Sequence, residues 1–189
     1  MTDLKYVKAR KRLVGERVVL RTLPTTFASA ELLFAFVQAN REHLLPWLDW
    51  VLEVKCAEDE FRALLRWEKE RKEWGMLNYG IFAGGKMVGA IDFQKFSGRD
   101  RSCEIGYMLD AGAEGNGFMG EALALVEAEL FKAGISRISI RCDERNKKSA
   151  AVAKRAGYKL EGHFIKDRYS KPDGRFVDTL YFTKLNLKR

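Results

Sequence analysis

The chain has 189 residues, 47% hydrophobic and 32% charged, with 34 Lys and Arg against 26 Asp and Glu for a net charge of +8. That length and mix describe one globular domain able to bury its own core, and they exclude a disordered or collagen-like chain. No apolar run is long enough to span a bilayer, the start lacks a signal-peptide core, and Cys56, Cys103 and Cys142 are scattered like reduced thiols, so a cytoplasmic location is expected. With only His43 and His163, no metal site is expected. Part of the basic excess gathers at 5–17 and at Lys184, Lys188 and Arg189. It fits frayed, solubilising ends as well as attraction to polyanions.

Residues 17–23 alternate as a first strand and stop at Pro24. Thr25 or Thr26 caps a helix carrying Leu32, Leu33, Phe36 and Val37. Pro46 divides residues 40–50, predicting a short helical turn, with Trp47 and Trp50 read as core or groove wall. Residues 57–74 predict a charged amphipathic helix with Phe61, Leu64, Leu65 and Glu68 on one face, ended by Gly75. Strands 77–83 and 86–93 flank a two-residue Gly84-Gly85 turn, and polar 97–101 leads into a third strand through 104–110. Next, Glu114-Gly115-Asn116-Gly117-Phe118-Met119-Gly120 opens a helix whose stripe is Met119, Ala122, Leu123, Val126, Leu130 and Phe131, capped at Gly134. A strand at 137–142, a helix at 147–156 and two strands at 158–169 and 177–186 complete the chain. The order β-α-α-α-β-β-β-α-β-α-β-β implies an α+β fold, with helices packed on a largely antiparallel mixed sheet.

A glycine-rich turn between strand and helix offers unpaired backbone N–H groups and the positive end of the helix dipole, which suits a phosphate. Neither Gly-x-x-x-x-Gly-Lys-Ser/Thr nor a dinucleotide Gly-x-Gly-x-x-Gly is present. The longer string, Glu104-Ile105-Gly106-Tyr107 followed by residues 114–122, resembles the acetyl-CoA-binding segment of the GNAT N-acetyltransferases in their RimJ/RimL-like branch. Asn146-x-x-Ser149 and Gly157-Tyr158-x-x-Glu161-Gly162 extend that likeness, which covers nearly everything past the first dozen residues. It implies a basic N-terminal segment over 1–12 and a single GNAT domain over 13–189. It also implies a splay between the strand near Glu104–Asp110 and the strand at 138–142. The pantetheine arm of acetyl-CoA would pair with amides near Met108, Leu109 and Asp110. The pyrophosphate would rest on the N–H groups of Glu114, Gly115, Asn116, Gly117, Phe118, Met119 and Gly120. Gly112 stands where the family commonly has Gln or Arg, which removes a side-chain donor, and Glu114 is expected to point outward or into the fold.

From the residues alone, Asn146 is a helix N-cap and Ser149 a first-turn residue. The resemblance makes Asn146 a cofactor contact and Ser149 a general acid beside the thioester sulfur, with Lys147 and Lys148 near the phosphates. It places Glu104 as general base, with Asp167 (next to Arg168) or a water relay as alternatives, and Glu104 in a salt bridge as the plainer reading. Trp47, Trp50 and Tyr107 become acceptor-side residues. No cysteine lies in the motifs, which favours direct transfer to an amine. At pH 7 an α-amine needs only about 1.4 kcal/mol to shed its proton and a lysine roughly 4.6, so an α-amine tolerates a weak base. The expected acceptor is therefore a protein N-terminus of ribosomal-protein type. The alternatives are a small-molecule amine, or a non-catalytic acyl-CoA- or RNA/ribosome-binding module. A monomer or homodimer is expected, with no membrane and no sequence-specific nucleic acid as partner.

Overall fold

A computed structural model describes residues 3–187. In chain order the elements are β1 (Arg12–Val14), β2 (Val19–Thr22), α1 (Phe27–Ala39), α2 (Arg41–Leu44), α3 (Ala57–Trp74), β3 (Asn78–Ala83) and β4 (Lys86–Ser97). They continue as β5 (Ser102–Leu109), α4 (Phe118–Lys132), β6 (Arg137–Asp143), α5 (Lys147–Arg155), β7 (Lys159–Ser170) and β8 (Arg175–Leu185). Short 3-10 turns lie at Asp49–Leu52 and Ala111–Ala113. Among the described residues the strands form one eight-stranded sheet in the order β1-β2-β3-β4-β5-β6-β8-β7. Every neighbouring pair is antiparallel except β5 with β6, which are parallel and joined by the α4 crossover.

The expected order holds, with one strand added. Arg12-Leu13-Val14 is too short for a pattern to show in sequence, and the hairpin bond from Gly15 N to Val18 O (2.9 Å) folds it onto β2. Thr26, not Thr25, caps α1, its Oγ1 accepting from Ser29 N at 3.3 Å. In α3 the buried face is rotated from the expected one. Leu65 stands 49% exposed and Glu60 is buried, because Glu60 and Leu64 turn inward with Phe61 and Trp67 flanking them.

Strand alternation sends Ile91, Phe93, Cys103, Ile105, Ile138 and Ile140 to one face, where they pack against Met119, Ala122, Leu123, Val126 and Leu130 of α4. The opposite face carries α1 and α3. There Phe36, Val37, Leu44 and Val51 form a smaller cluster reaching Met108 on β5. The feature that matters for function lies between β5 and β6. They pair only at Ser102–Glu104 with Arg137–Ser139. Beyond Glu104, β5 stays bonded to β4 and β6 to β8, so the two strands diverge and leave a wedge open at the C-terminal end of β5.

Candidate active site

The wedge exposes backbone on a fixed parity. Asp110 N bonds Val88 O at 2.8 Å, and the unbroken register from there to Glu104 makes the even residues of β5 the ones that bond β4. The N–H and C=O groups of Tyr107 and Leu109 therefore face the wedge. Those of Met108 and Asp110 do not. Of the three amides expected to meet a pantetheine arm, only that of Leu109 is turned toward it, and Tyr107 joins it.

Beyond the wedge, the turn before α4 is held from behind. Gly117, the N-cap of α4, has φ +75° and supplies no side-chain cap. The backbone therefore favours glycine, and a Cβ there would sit 2.8 Å from Arg17 Nη1 and displace that guanidinium. Arg17 Nη1 donates to Asn116 O at 3.0 Å and its Nε to Glu121 Oε2 at 2.9 Å. Asn116 Nδ2 donates to Ala113 O at 3.1 Å. The first-turn N–H groups of Phe118, Met119 and Gly120 have no intrahelical acceptor, and nothing lies within 4 Å of a Cβ built at Gly120. A diphosphate fits this donor set. Glu114 does not oppose it, because its carboxylate is bound by Lys148 Nζ and lies 3.4 Å from His43 Nε2.

Two anchors of this loop were not foreseen. Asn40, buried at the end of α1, accepts from Ala111 N at 3.1 Å and donates to Phe36 O at 3.0 Å, fixing the strand-to-loop exit. Arg17 returns a guanidinium to the loop from the β1–β2 hairpin. Both lie far from the glycine motif in sequence, and no local pattern announces them.

Residues 17–159 match the Acetyltransferase (GNAT) domain family. The chain belongs to the GNAT acetyltransferase family. It is 28% identical over 155 residues to the ribosomal-protein-serine acetyltransferase of Escherichia coli K12, covering 78% of this chain and 87% of that protein. It is 26% identical over 175 residues to the putative ribosomal N-acetyltransferase YdaF of Bacillus subtilis 168, covering 91% and 93%. Among solved structures, RimL, a ribosomal L7/L12 α-N-protein acetyltransferase in complex with coenzyme A, superposes with a TM-score of 0.85 at 26% identity, covering 92% of this chain and 96% of that one. The protein is thus an acetyl-CoA-dependent N-acetyltransferase, and the donor-lined loop and the wedge of this GNAT domain suit that co-substrate.

On the α4 side of the wedge, Tyr107 and Ser149 meet across its mouth. The two hydroxyl oxygens are 3.0 Å apart, and Tyr107 Oη also lies 3.2 Å from Ser149 O. Burial pushes the phenol up to about 12, against a smaller lowering by Ser149, so it stays a donor. Ser149 is fixed in the first turn of α5, where Asn146 Oδ1 accepts from its N–H at 3.0 Å. That bond commits Asn146 Oδ1 to capping and leaves its amide NH2 as a donor. Cys142 is buried on β6, and burial raises its thiol. It is a poor nucleophile.

Glu104 sits at the last paired position before the strands part. Its Oε2 lies 2.7 Å from Arg141 Nε and 3.3 Å from Lys95 Nζ, and Gln94 Nε2 donates to Oε1 at 3.4 Å. The Arg141 contact is an ion pair without hydrogen-bond alignment. Burial raises the Glu104 carboxyl to about 7. Against that burial, the Arg141 and Lys95 contacts are those of the salt-bridge reading of Glu104. Trp47 is half-buried and Trp50 38% exposed, and neither joins a buried cluster; Val51 and Leu48 do that work. The 3-10 turn bearing Trp50 is tied to the β7–β8 hairpin, since Arg168 Nη1 donates to Asp49 Oδ1 at 3.0 Å and Lys171 Nζ to Glu53 Oε1 at 2.6 Å.

Proposed function

We propose that this GNAT enzyme acetylates the α-amine at a protein N-terminus, with a ribosomal protein as the acceptor class. The observation carrying that reading is the 3.0 Å Tyr107–Ser149 hydroxyl contact at the wedge mouth, in a domain whose α4 turn suits a diphosphate. Acetyl-CoA supplies an acetyl thioester. The N–H groups of the α4 turn hold its phosphates, and the Leu109 and Tyr107 backbone aligns its arm. Ser149 Oγ–H delivers a proton to the departing sulfur, and the Tyr107 O–H behind it refills the hydroxyl. Asn146 adds an amide donor beside them. Trp47 and Trp50 wall the acceptor side, where the likeness to ribosomal-protein N-acetyltransferases points to an N-terminal α-amine. Glu104, with cations on both sides, holds charge near the acceptor.

The test is a thiol-release assay with acetyl-CoA across serine-, alanine- and threonine-initiated peptides, their Nα-blocked forms, and polyamines. Turnover with free N-termini that vanishes on blocking them is the expected result. Turnover with small amines alone overturns the peptide acceptor. Absence of release with every amine overturns the transfer reading.

A further inference from the structure

The sheet face under α1 and α3 is not sealed. Asn78, Ala90, Asp92, Gly106 and Met108 are each partly solvent-reachable, although the residues alternating with them, Tyr79, Ile91, Phe93 and Ile105, are buried. An open floor therefore crosses β3, β4 and β5 and meets the wedge at Gly106. Asp92 lies directly opposite Gly106 in register. A Cβ on residue 106 would stand 3.1 Å from Asp92 Oδ1 and 3.5 Å from Gln94 Nε2, so at this position only a glycine α-carbon lies over the buried carboxyl. Asp92 Oδ1 has no well-aligned hydrogen-bond partner, and the carboxyl has only the neighbouring Gly106 N–H and a long 3.5 Å contact from Asn78 Nδ2 to Oδ2. An acceptor oxygen left unpaired at such depth is costly unless something else binds it. Glu104, by contrast, is already covered by Arg141, Lys95 and Gln94 and stands where β5 and β6 are still closed.

We propose that Asp92, rather than Glu104, is the acceptor-side base, its carboxylate holding the incoming ammonium over Gly106 and taking one proton from it. This rests on the acetyl-transfer reading above. The ammonium passes a proton to Asp92 and becomes a neutral amine. Its lone pair then bonds to the acetyl carbon, the C–S bond breaks, and sulfur leaves with the electron pair. The proton that nitrogen sheds on becoming an amide balances the one sulfur receives through Ser149. The first proton leaves Asp92 for water along the open floor. Groups facing Asp92 fit the task. Burial, with Glu104 of β5 and Glu70 of α3 adding to it, pushes the carboxyl up to about 7, while the Gly106 N–H and Asn78 of β3 pull it down. Lys95 and Arg141 are spent on Glu104. An α-amine near pKa 8 then gives up its proton at a cost of about tenfold.

The test compares wild type, Asp92→Asn and Glu104→Gln by thiol release between about pH 5.5 and 9, with a serine-initiated peptide and acetyl-CoA. Asp92→Asn is expected to lower kcat/KM about 100-fold and to abolish the acid limb, with acetyl-CoA affinity within about threefold of wild type; Glu104→Gln is expected to keep that limb. A limb that persists in Asp92→Asn at near wild-type rate overturns the proposal. A second arm needs no turnover. Calorimetry of the same peptide with CoA-loaded protein should show at least about tenfold weaker binding in Asp92→Asn. Equal binding, or no binding to wild type, also overturns the proposal. Asp92-dependent binding to a wild type that releases no thiol would sink the transfer reading and leave the amine site standing.

Discussion

Ser149 and Tyr107 make a pair whose roles separate kinetically. Ser149→Ala removes the hydroxyl proposed to protonate sulfur but leaves the Asn146 cap acceptor and the α4 turn intact. It should cut kcat by about 10- to 100-fold with acetyl-CoA affinity unchanged by calorimetry. Tyr107→Phe keeps the ring and loses only the refill, so its fall should be smaller. An unchanged kcat in Ser149→Ala would strip it of that role. Glu60 offers a stability prediction away from the chemistry. It is buried in α3 with Oε1 unpartnered, and burial, aided by Asp59, raises its carboxyl to about 7. Because the folded-state value lies above the unfolded one, the native state holds the extra proton between about pH 4.5 and 7. Stability is then greatest at the acid end of that window and falls as pH rises through 7. Glu60→Gln should therefore stabilise by about 1–3 kcal/mol at pH 8 and by little at pH 4, read from denaturant midpoints. Residues of this kind divide by how far their meaning travels. Ser149, Asn146 and Glu104 stand in strings that can be read locally. Asp92 sits in Ala-Ile-Asp-Phe, an ordinary alternating strand, and only its register against Gly106 gives it significance.

The α4 turn is the element proposed to hold the cofactor's phosphates, and its two left-handed glycines are not equivalent. Gly115 has φ +80° and open space around it, so Gly115→Ala should cost backbone strain alone, on the order of 1 kcal/mol. Gly117→Ala adds a clash with the Arg17 guanidinium that braces Asn116 and Glu121. Calorimetry should show Gly117→Ala weakening CoA by about tenfold or more, and Gly115→Ala by clearly less, with helix content unchanged in both. Equal losses would mean that the Arg17 brace does not shape the turn. Most elements were legible because their periodicity is strong; the α4 stripe is buried over Met119, Ala122, Leu123, Val126 and Leu130 as its spacing requires. The failures have physical causes. β1 is three residues long, and an isolated triplet has no period. On α3 the Phe61–Leu65 and Glu60–Leu64 rows lie side by side, and tertiary contact of Leu64 with Leu33 and Phe82 favours the second against its hydropathy.

The wedge was legible at the scale of the whole molecule only through family likeness, since strand divergence depends on what pairs on either side of β5 and β6. The termini show the same dependence. Of the basic residues at the two ends, Lys188 and Arg189 lie outside the described residues, and three of the others, Arg10, Arg17 and Lys184, close onto α4. Arg10 donates to Glu129 through Nε (3.1 Å), Nη2 (2.8 Å) and its backbone N (3.1 Å), and Lys184 Nζ donates to Glu127 Oε2 at 2.6 Å. Both glutamates are buried, so α4 presents two carboxylates that the chain ends neutralise. Val7 is 1% exposed in the main core, and Tyr79 Oη donates to Arg10 O at 2.6 Å. Deleting residues 1–11 would thus expose core, strand a buried tyrosine donor and leave Glu129 without its cation. Scanning calorimetry should show a melting temperature lower by more than about 5 °C. Adding Glu129→Gln to the truncated chain should recover part of that loss, because it removes the unpaired charge but not the missing packing. If truncation leaves the melting temperature unchanged, the segment is an appendage and the Glu129 pairing adds nothing to the fold. Because α4 carries both the carboxylates and the turn proposed to bind phosphate, CoA affinity should fall along with stability in the truncated chain.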